Sequence, residues 1–129
     1  MADGAPSAQP DERFRPSERL RKRPQFLRAR KKGRRKEGRW VVVYAVDNDV
    51  GHPRVGLTVS GRVGNAVVRN RWKRRLREIF RRGKQHFGEA FDVVIIVKPG
   101  GGHPDFDDLR RDVYNTVRRA RTAYRDRRA

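Results

Sequence analysis

The 129-residue chain contains no cysteine. Disulfides, thiol catalysis and cysteine-ligated zinc are thereby excluded, and the composition is compatible with a reducing cytoplasm. Acid is scarce: 15 Asp plus Glu stand against 34 Lys plus Arg, a formal net charge of +19. Long apolar runs are missing as well. The longest, residues 41–46, is far too short to span a bilayer, and residues 1–16 hold no apolar stretch of the kind that marks a signal peptide. Hydrophobic residues make up 35%, which suffices for one small core if the tails are left out. A cationic surplus of this size on one small domain calls for a polyanionic partner, nucleic acid first and an anionic membrane second. Of the basic residues 27 are Arg and 7 are Lys. Arginine offers a planar fork to phosphate and stacks on bases, which suits RNA, although a GC-rich genome would produce the same bias.

What the chain does have is concentrated in residues 54–84. That stretch carries eleven Arg or Lys and one acid, Glu78. Its period changes midway. Val55, Leu57 and Val59 alternate with Gly56, Thr58 and Ser60, the period of a half-buried strand. Beyond Gly64 and Asn65, the apolar residues Val68, Trp72, Leu76, Ile79 and Phe80 take helical spacing. Asn65 is a good N-cap and Gly83 a good stop. On this helix Asn70, Arg74, Arg77 and Arg81 lie opposite the apolar stripe, with Lys73 towards one edge, while Arg69 and Arg75 flank the stripe. Six of the nine residues from 69 to 77 are Arg or Lys and none is acidic. An ordinary solvated face mixes signs; this one reads as a surface for a polyanion.

The remaining segments suggest a single domain over residues 17–125, with a disordered proline-rich tail at 1–16 and a short tail at 126–129. Residues 24–33 form a short helix between Pro24 and Gly33. Phe26 on it reads first as a core residue attaching the helix to a sheet, and second as an aromatic at the edge of an RNA cleft. Residues 34–39 are expected to be a charged loop. Residues 40–46 are the strongest strand, apolar on both faces and so covered on both. A turn at 47–53 leads into the strand at 54–60, expected to run antiparallel to the one before it. A further strand occupies 91–97, and 98–104 is a glycine-rich connection without the lysine and serine of a Walker loop. A final helix covers 105–125, capped by Asp105 and with the apolar stripe Leu109, Val113, Val117, Ala120 and Tyr124. The order helix, strand, strand, basic helix, strand, helix predicts a two-layer α+β sandwich. The basic helix would join two parallel strands, a crossover that the general rule makes right-handed.

Catalytic constellations are weak. Asp105, Asp107 and Asp108 suit a helix N-terminus better than a metal, His52, His86 and His103 are isolated, and Ser60 and Thr58 have no evident base. No catalytic residue and no protein metal ligand is therefore assigned.

The run RVGLTVSGRVGNAVVRNRWKRRLRE closely resembles the signature of the bacterial ribonuclease P protein subunit. Its core is Arg69-Asn70-Arg71, preceded by Gly64-Asn65-Ala66-Val67 and followed by Lys73-Arg74. The resemblance extends over residues 19–124, taking in the basic N-terminal segment, the strand with Tyr44, the 91–97 strand and the last helix. It implies a cytoplasmic bacterial ribonucleoprotein that matures the 5′ end of precursor tRNA. Catalysis would belong to the RNA subunit, with Mg²⁺ bound mainly by that RNA and the substrate. The partners would be ribonuclease P RNA and precursor tRNA, with no membrane and no protein partner. The family fold also implies a left-handed βαβ crossover, against the general rule.

Carried over residue by residue, the resemblance assigns the RNA-subunit surface to Arg62, Asn65, Arg69, Asn70, Arg71, Lys73, Arg74 and Arg77. Charge-assisted contacts to phosphates would be their role, with fixed hydrogen bonds from the two asparagines. It assigns the 5′ leader to a cleft between the first helix and the sheet, using Phe26, Arg30, Val42, Tyr44 and Thr58. Arg30 stands where the family usually has a second aromatic, and Gly61 where it often has a basic residue. Two rival classes remain: a ribosomal protein with the same charge and no part in cleavage, and a metal nuclease using the acids near Asp105.

Overall fold

The computed structural model describes residues 13–128. The first helix, α1 (Arg23–Lys32), follows a short 3₁₀ turn at Pro16–Glu18. Then come β1 (Arg34–Glu37), β2 (Val41–Asp47), β3 (Arg54–Thr58), α2 (Ala66–Arg82), a second 3₁₀ turn (Lys84–Phe87), β4 (Phe91–Val97) and α3 (Phe106–Arg128). The four strands form one mixed sheet in the order β1-β2-β4-β3. The α+β class and the three helices agree with the sequence reading.

Strand alternation sorts the sheet into two unlike faces. Val41, Val43 and Ala45 of β2, with Val93, Ile95 and Val97 of β4 and Val55 of β3, join the main core. Trp72, Leu76, Ile79 and Phe80 of α2 and Leu109, Val113, Val117 and Ala120 of α3 cover them. Full burial of each large apolar side chain is worth about 1.5–3 kcal/mol, so the stripe of α2 holds its helix down against the repulsion of its own cations. The opposite face is covered in part by α1, where Ala29, Val46, Val94 and Leu20 form a smaller cluster with Phe26, Tyr44 and Ile96 at its margin. Central strand β2 is thus covered on both sides, as its composition requires.

Local chemistry sets the helix ends. Asn65 caps α2 by accepting the Val68 N–H at 3.0 Å, and the Gly83 N–H closes the other end on the Phe80 carbonyl at 3.1 Å. Asp105 accepts the Asp108 N–H at 2.8 Å at the start of α3. Gln25 Oε1 accepts from the Arg21 and Lys22 N–H groups, both at 3.0 Å, and stands in for a cap at α1.

Four expectations change. Residues 34–37 are a strand, not a loop: β1 pairs antiparallel with β2, Arg35 opposite Tyr44 and Glu37 opposite Val42. Its charges suit an outermost strand, where they discourage further pairing. β3 does not pair with β2. β4 inserts between them, antiparallel to β2 and parallel to β3, with Thr58 opposite Ile96. The α2 connection between β3 and β4 does join parallel strands. Of the expected N-terminal tail, residues 1–12 lie outside the described residues, but Phe14 packs on Phe80 with ring centroids 5.3 Å apart. Finally, α3 continues to Arg128 beyond the expected end at 125.

Among the described residues two charged groups are buried: Glu18, held by Lys84 at 2.8 Å, and Asp92. Asp92 is 2% exposed and faces the α1 side of the sheet. Arg54 grips it through Nε and Nη2, at 2.8 and 2.9 Å, and Asn48 Nδ2 adds a third bond at 2.9 Å. The arrangement ties β3 to β4 across neighbouring strands.

Candidate nucleic-acid interface

Two surfaces carry the residues singled out in the sequence. The first is the outer side of α2 with the turn before it. Arg62, Asn65, Asn70, Arg71, Arg74 and Arg77 are exposed, while Arg69 and Lys73 are half-buried. The turn at 60–63 closes through the Val63 N–H on the Ser60 carbonyl, and the Arg69 guanidinium comes beside Gly61, so Arg62 and Arg69 share one corner. No side chain fills the gap at Gly61. Among the described residues, no acid lies within ion-pair distance of Arg62, Arg69, Arg71, Lys73, Arg74 or Arg77. Glu78, the one acid of the helix, is taken by Arg81 at 2.8 Å and Arg82 at 3.3 Å, and that pairing lowers its pKa. Arg75 is structural, donating to the Pro104 carbonyl at 2.7 Å. Asn65 spends its Oδ1 on the cap, which leaves its Nδ2 donors for a ligand. The apolar Val67, 69% exposed, completes the surface next to these charges.

The second surface is a cleft between α1 and the sheet. Cross-strand pairing builds its floor in rows: Val42, Ile96 and Thr58 in one, Tyr44, Val94 and Gly56 in the next. Phe26 drops from α1 over Gly56, where an added Cβ would lie 2.7 Å from two ring atoms. A glycine is required there by contact and not by backbone angle. The Arg30 guanidinium lies over the Tyr44 ring, 5.6 Å from its centroid. Phe26, Arg30 and Thr58 line an opening of about 320 Å³ together with Arg21, Arg23, Leu27, Val94 and Ile96. Among the described residues, no acid lines it. A flat aromatic and apolar floor rimmed by arginines offers stacking surfaces to bases and forks to phosphates.

All thirteen residues assigned from the sequence therefore fall on these two surfaces. Ile96, Leu27, Arg21 and Arg23 were missed. Ile96 was readable in principle, since alternation from residue 91 puts it on the face of Asp92 and Val94. Arg21 just precedes the helix and Arg23 opens it, in a segment already dense with charge, and nothing local distinguishes them.

Other polar groups have structural partners. Asp112 accepts the Arg39 and Trp40 N–H groups, both at 2.9 Å, and so holds the turn between β1 and β2. His86 stacks on Tyr114 with centroids 4.0 Å apart; burial, then Arg118, Arg121 and Arg110, lower its pKa. Among the described residues, no three His, Asp or Glu side chains gather as a metal-binding group. None of the helices there is long and apolar enough to cross a membrane.

Comparison with known proteins agrees with this geometry. A family model described as Ribonuclease P matches residues 14–121. The ribonuclease P protein component of Syntrophus aciditrophicus is 39% identical over 97 residues, 75% of this chain and 82% of that protein. That of Citrifermentans bemidjiense is 39% identical over 111 residues, covering 86% and 95%. Among solved structures, the RNase P protein of Thermotoga maritima superposes with a TM-score of 0.72 at 35% identity, over 79% of this chain and 96% of that one. The Staphylococcus aureus protein gives 0.72 at 33% identity, over 80% and 94%. A match over most of the chain, relatives of this identity and a shared fold leave one assignment: the chain belongs to the ribonuclease P protein family.

Proposed function

We propose that this chain is the protein subunit of a bacterial ribonuclease P, and that its two surfaces hold two different RNAs. The outer side of α2 binds the RNA subunit. The cleft under α1 binds the 5′ leader of precursor tRNA. The observation that carries this reading is the set of six cations, Arg62, Arg69, Arg71, Lys73, Arg74 and Arg77, with no acidic partner among the described residues, on and beside the helix that covers the sheet face opposite the cleft. Cations left without partners repel one another and are stabilised by phosphate.

The division of labour follows from the side chains. Arg62, Arg69, Arg71, Lys73, Arg74 and Arg77 supply charge-assisted bonds to phosphates, and Asn65 and Asn70 supply neutral donors that fix register. In the cleft, Phe26 and Tyr44 offer ring faces, Arg30 offers a guanidinium plane and a charge, and Val42 and Thr58 shape the floor. Each stacked base is worth about 1–3 kcal/mol. Hydrolysis of the phosphodiester is assigned to the RNA subunit, where bound Mg²⁺ supplies the electrophilic chemistry. The residues of this chain bind and orient; no proton or metal step is assigned to them.

Reconstitution tests the reading. A bacterial ribonuclease P RNA is assayed for precursor-tRNA cleavage at low Mg²⁺ with and without this protein. Restored cleavage at the correct 5′ position, with none by the protein alone, is the expected result. No gain, under conditions where another family member works, would move the chain to the ribosomal class. Cleavage by the protein alone would make it a nuclease.

A further inference from the structure

A second groove lies beside α2, between the two surfaces described above. Residues 14–20 run along the outer edge of β3, where the Leu20 N–H donates to the Val55 carbonyl at 3.0 Å and Arg19 bridges to Val55 in parallel. Between this segment and α2 opens a groove of about 230 Å³. Arg19 and Arg21 rise from one wall and Lys73 and Arg77 from the other, over a floor that includes Leu57 and Phe14. Among the described residues, no acid lines it.

Two details mark it as a ligand groove and not a seam in the packing. The Arg19 guanidinium lies over the Phe14 ring, 4.5 Å from the centroid, and Phe14 is itself seated on Phe80. The side chain is thus held in place before any partner arrives. Its Nε is buried and, like those of Arg110, Arg119 and Arg121, has no hydrogen-bond partner among the described residues. A buried donor of this kind is costly unless something accepts from it. By alternation from Val55, the N–H and C=O of Leu57 also face this edge of the sheet. Arg21 lines both this groove and the cleft under α1. Lys73 and Arg77 belong to the cationic side of α2. The groove therefore joins the two surfaces.

We infer that this groove holds the sugar-phosphate backbone of the precursor's first leader nucleotides, passing them from the RNA-subunit side to the cleft. The inference rests on the reading given under Proposed function. Arg19 and Arg21 are its backbone contacts, and the terminal nitrogens of the Arg19 guanidinium take one phosphate. The bases of later nucleotides stack in the cleft on Phe26 and Tyr44.

Leader length separates the two grooves. In the holoenzyme rebuilt from the full chain and a bacterial ribonuclease P RNA, affinity is measured for mature tRNA and for precursors whose leaders grow one nucleotide at a time. Arg19→Met, which keeps an apolar stem over Phe14, should weaken binding roughly five- to tenfold from the shortest leaders onward. The slope of log affinity against log salt should fall in magnitude by about 0.7, one single-strand phosphate contact. Affinity for mature tRNA and for the RNA subunit should not change. Tyr44→Ala should lose affinity only once the leader is long enough to reach the cleft. Should Arg19→Met fold poorly, a neutral methylphosphonate placed in turn at each early leader phosphate tests the same contact on the unaltered protein, and one position should reproduce the loss. Wild-type affinity of Arg19→Met at every length, equal loss for mature tRNA, or indifference to every methylphosphonate would overturn the groove assignment while leaving the Tyr44→Ala result intact. A wild-type holoenzyme with no leader dependence at all would overturn the parent reading with it.

Discussion

Replacing Gly56 by alanine probes the cleft where sequence, packing and binding meet. An ideal Cβ at this position lies 2.7 Å from Cε2 and Cζ of Phe26 and 3.0 Å from Leu20 Cβ. Carbon atoms in contact prefer about 3.5–4.0 Å, so the ring must retreat by roughly 1 Å. Overpacking of this kind costs about 1–3 kcal/mol, and the lower chain entropy of alanine in the unfolded state returns about 0.4–1 kcal/mol. The net loss is on the order of 1–2 kcal/mol, read as a lower urea midpoint at unchanged slope. Function should suffer separately. A displaced Phe26 forfeits part of a stacking contact worth about 1–3 kcal/mol, so precursor affinity should fall about tenfold relative to mature tRNA while RNA-subunit affinity holds. Gly61→Ala serves as the control, since the nearest atom to its Cβ is Arg69 Nη1 at 3.8 Å. Wild-type stability together with wild-type leader affinity in Gly56→Ala would refute the seating of Phe26 on the sheet and its part in the cleft.

Arg54→Leu leaves the Asp92 carboxylate buried with Asn48 as its remaining partner, and should cost about 3–5 kcal/mol in urea unfolding; the double variant with Asp92→Leu should recover much of that loss. Asn65→Ala removes the α2 cap and should cost about 1 kcal/mol, whereas Asn65→Asp keeps the cap and favours the helix dipole. The aspartate should nevertheless weaken RNA-subunit binding, which a filter or fluorescence titration reads directly. His86 has its pKa lowered below 6.5, chiefly by burial, so the folded state binds its proton less readily than the unfolded chain. Its contribution is therefore intact above pH 6.5 and is lost as pH falls from there through the folded pKa. His86→Phe should keep the stack on Tyr114 and flatten that part of the stability profile measured by thermal melts.

Much of this was legible in the chain. The α2 stripe, its cap and its stop follow from spacing and residue type, and burial of Trp72, Leu76 and Ile79 matches the helical period. The same is true of α3 and of β2 with its two apolar faces. What was not legible depended on partners distant in sequence. β1 reads as a loop because Arg34, Arg35 and Lys36 carry no strand pattern; its strand state comes from pairing with β2, and its charges are those an edge tolerates. The pairing of β3 was misplaced because strands adjacent in sequence usually pair, and nothing local announces that β4 will come between them. Phe14 lay in a polar, proline-rich stretch, and only its packing against the Phe80 ring, which lies distant in sequence, explains why it docks. The cleft residues Phe26, Val42, Tyr44 and Thr58 come from three elements and were brought together by resemblance to a family, not by any rule of composition. The cross-strand rows supply the physical reason why the strand residues meet and add Ile96 to the group, and the lining of the opening adds Arg21.

The central claim is that one small cationic protein keeps two RNA surfaces distinct. The most direct test compares Arg71→Glu/Arg74→Glu with Tyr44→Ala, measuring equilibrium affinity for ribonuclease P RNA and, in the holoenzyme, for precursor against mature tRNA. The charge-reversed α2 variant should lose affinity for the RNA subunit by well over tenfold, and Tyr44→Ala should retain it. Tyr44→Ala should lose the preference for precursor over mature tRNA, and the α2 variant, once forced into the complex at high concentration, should keep it. Equal weakening of both RNAs by both variants would contradict the account and leave a single undivided polyanion-binding surface.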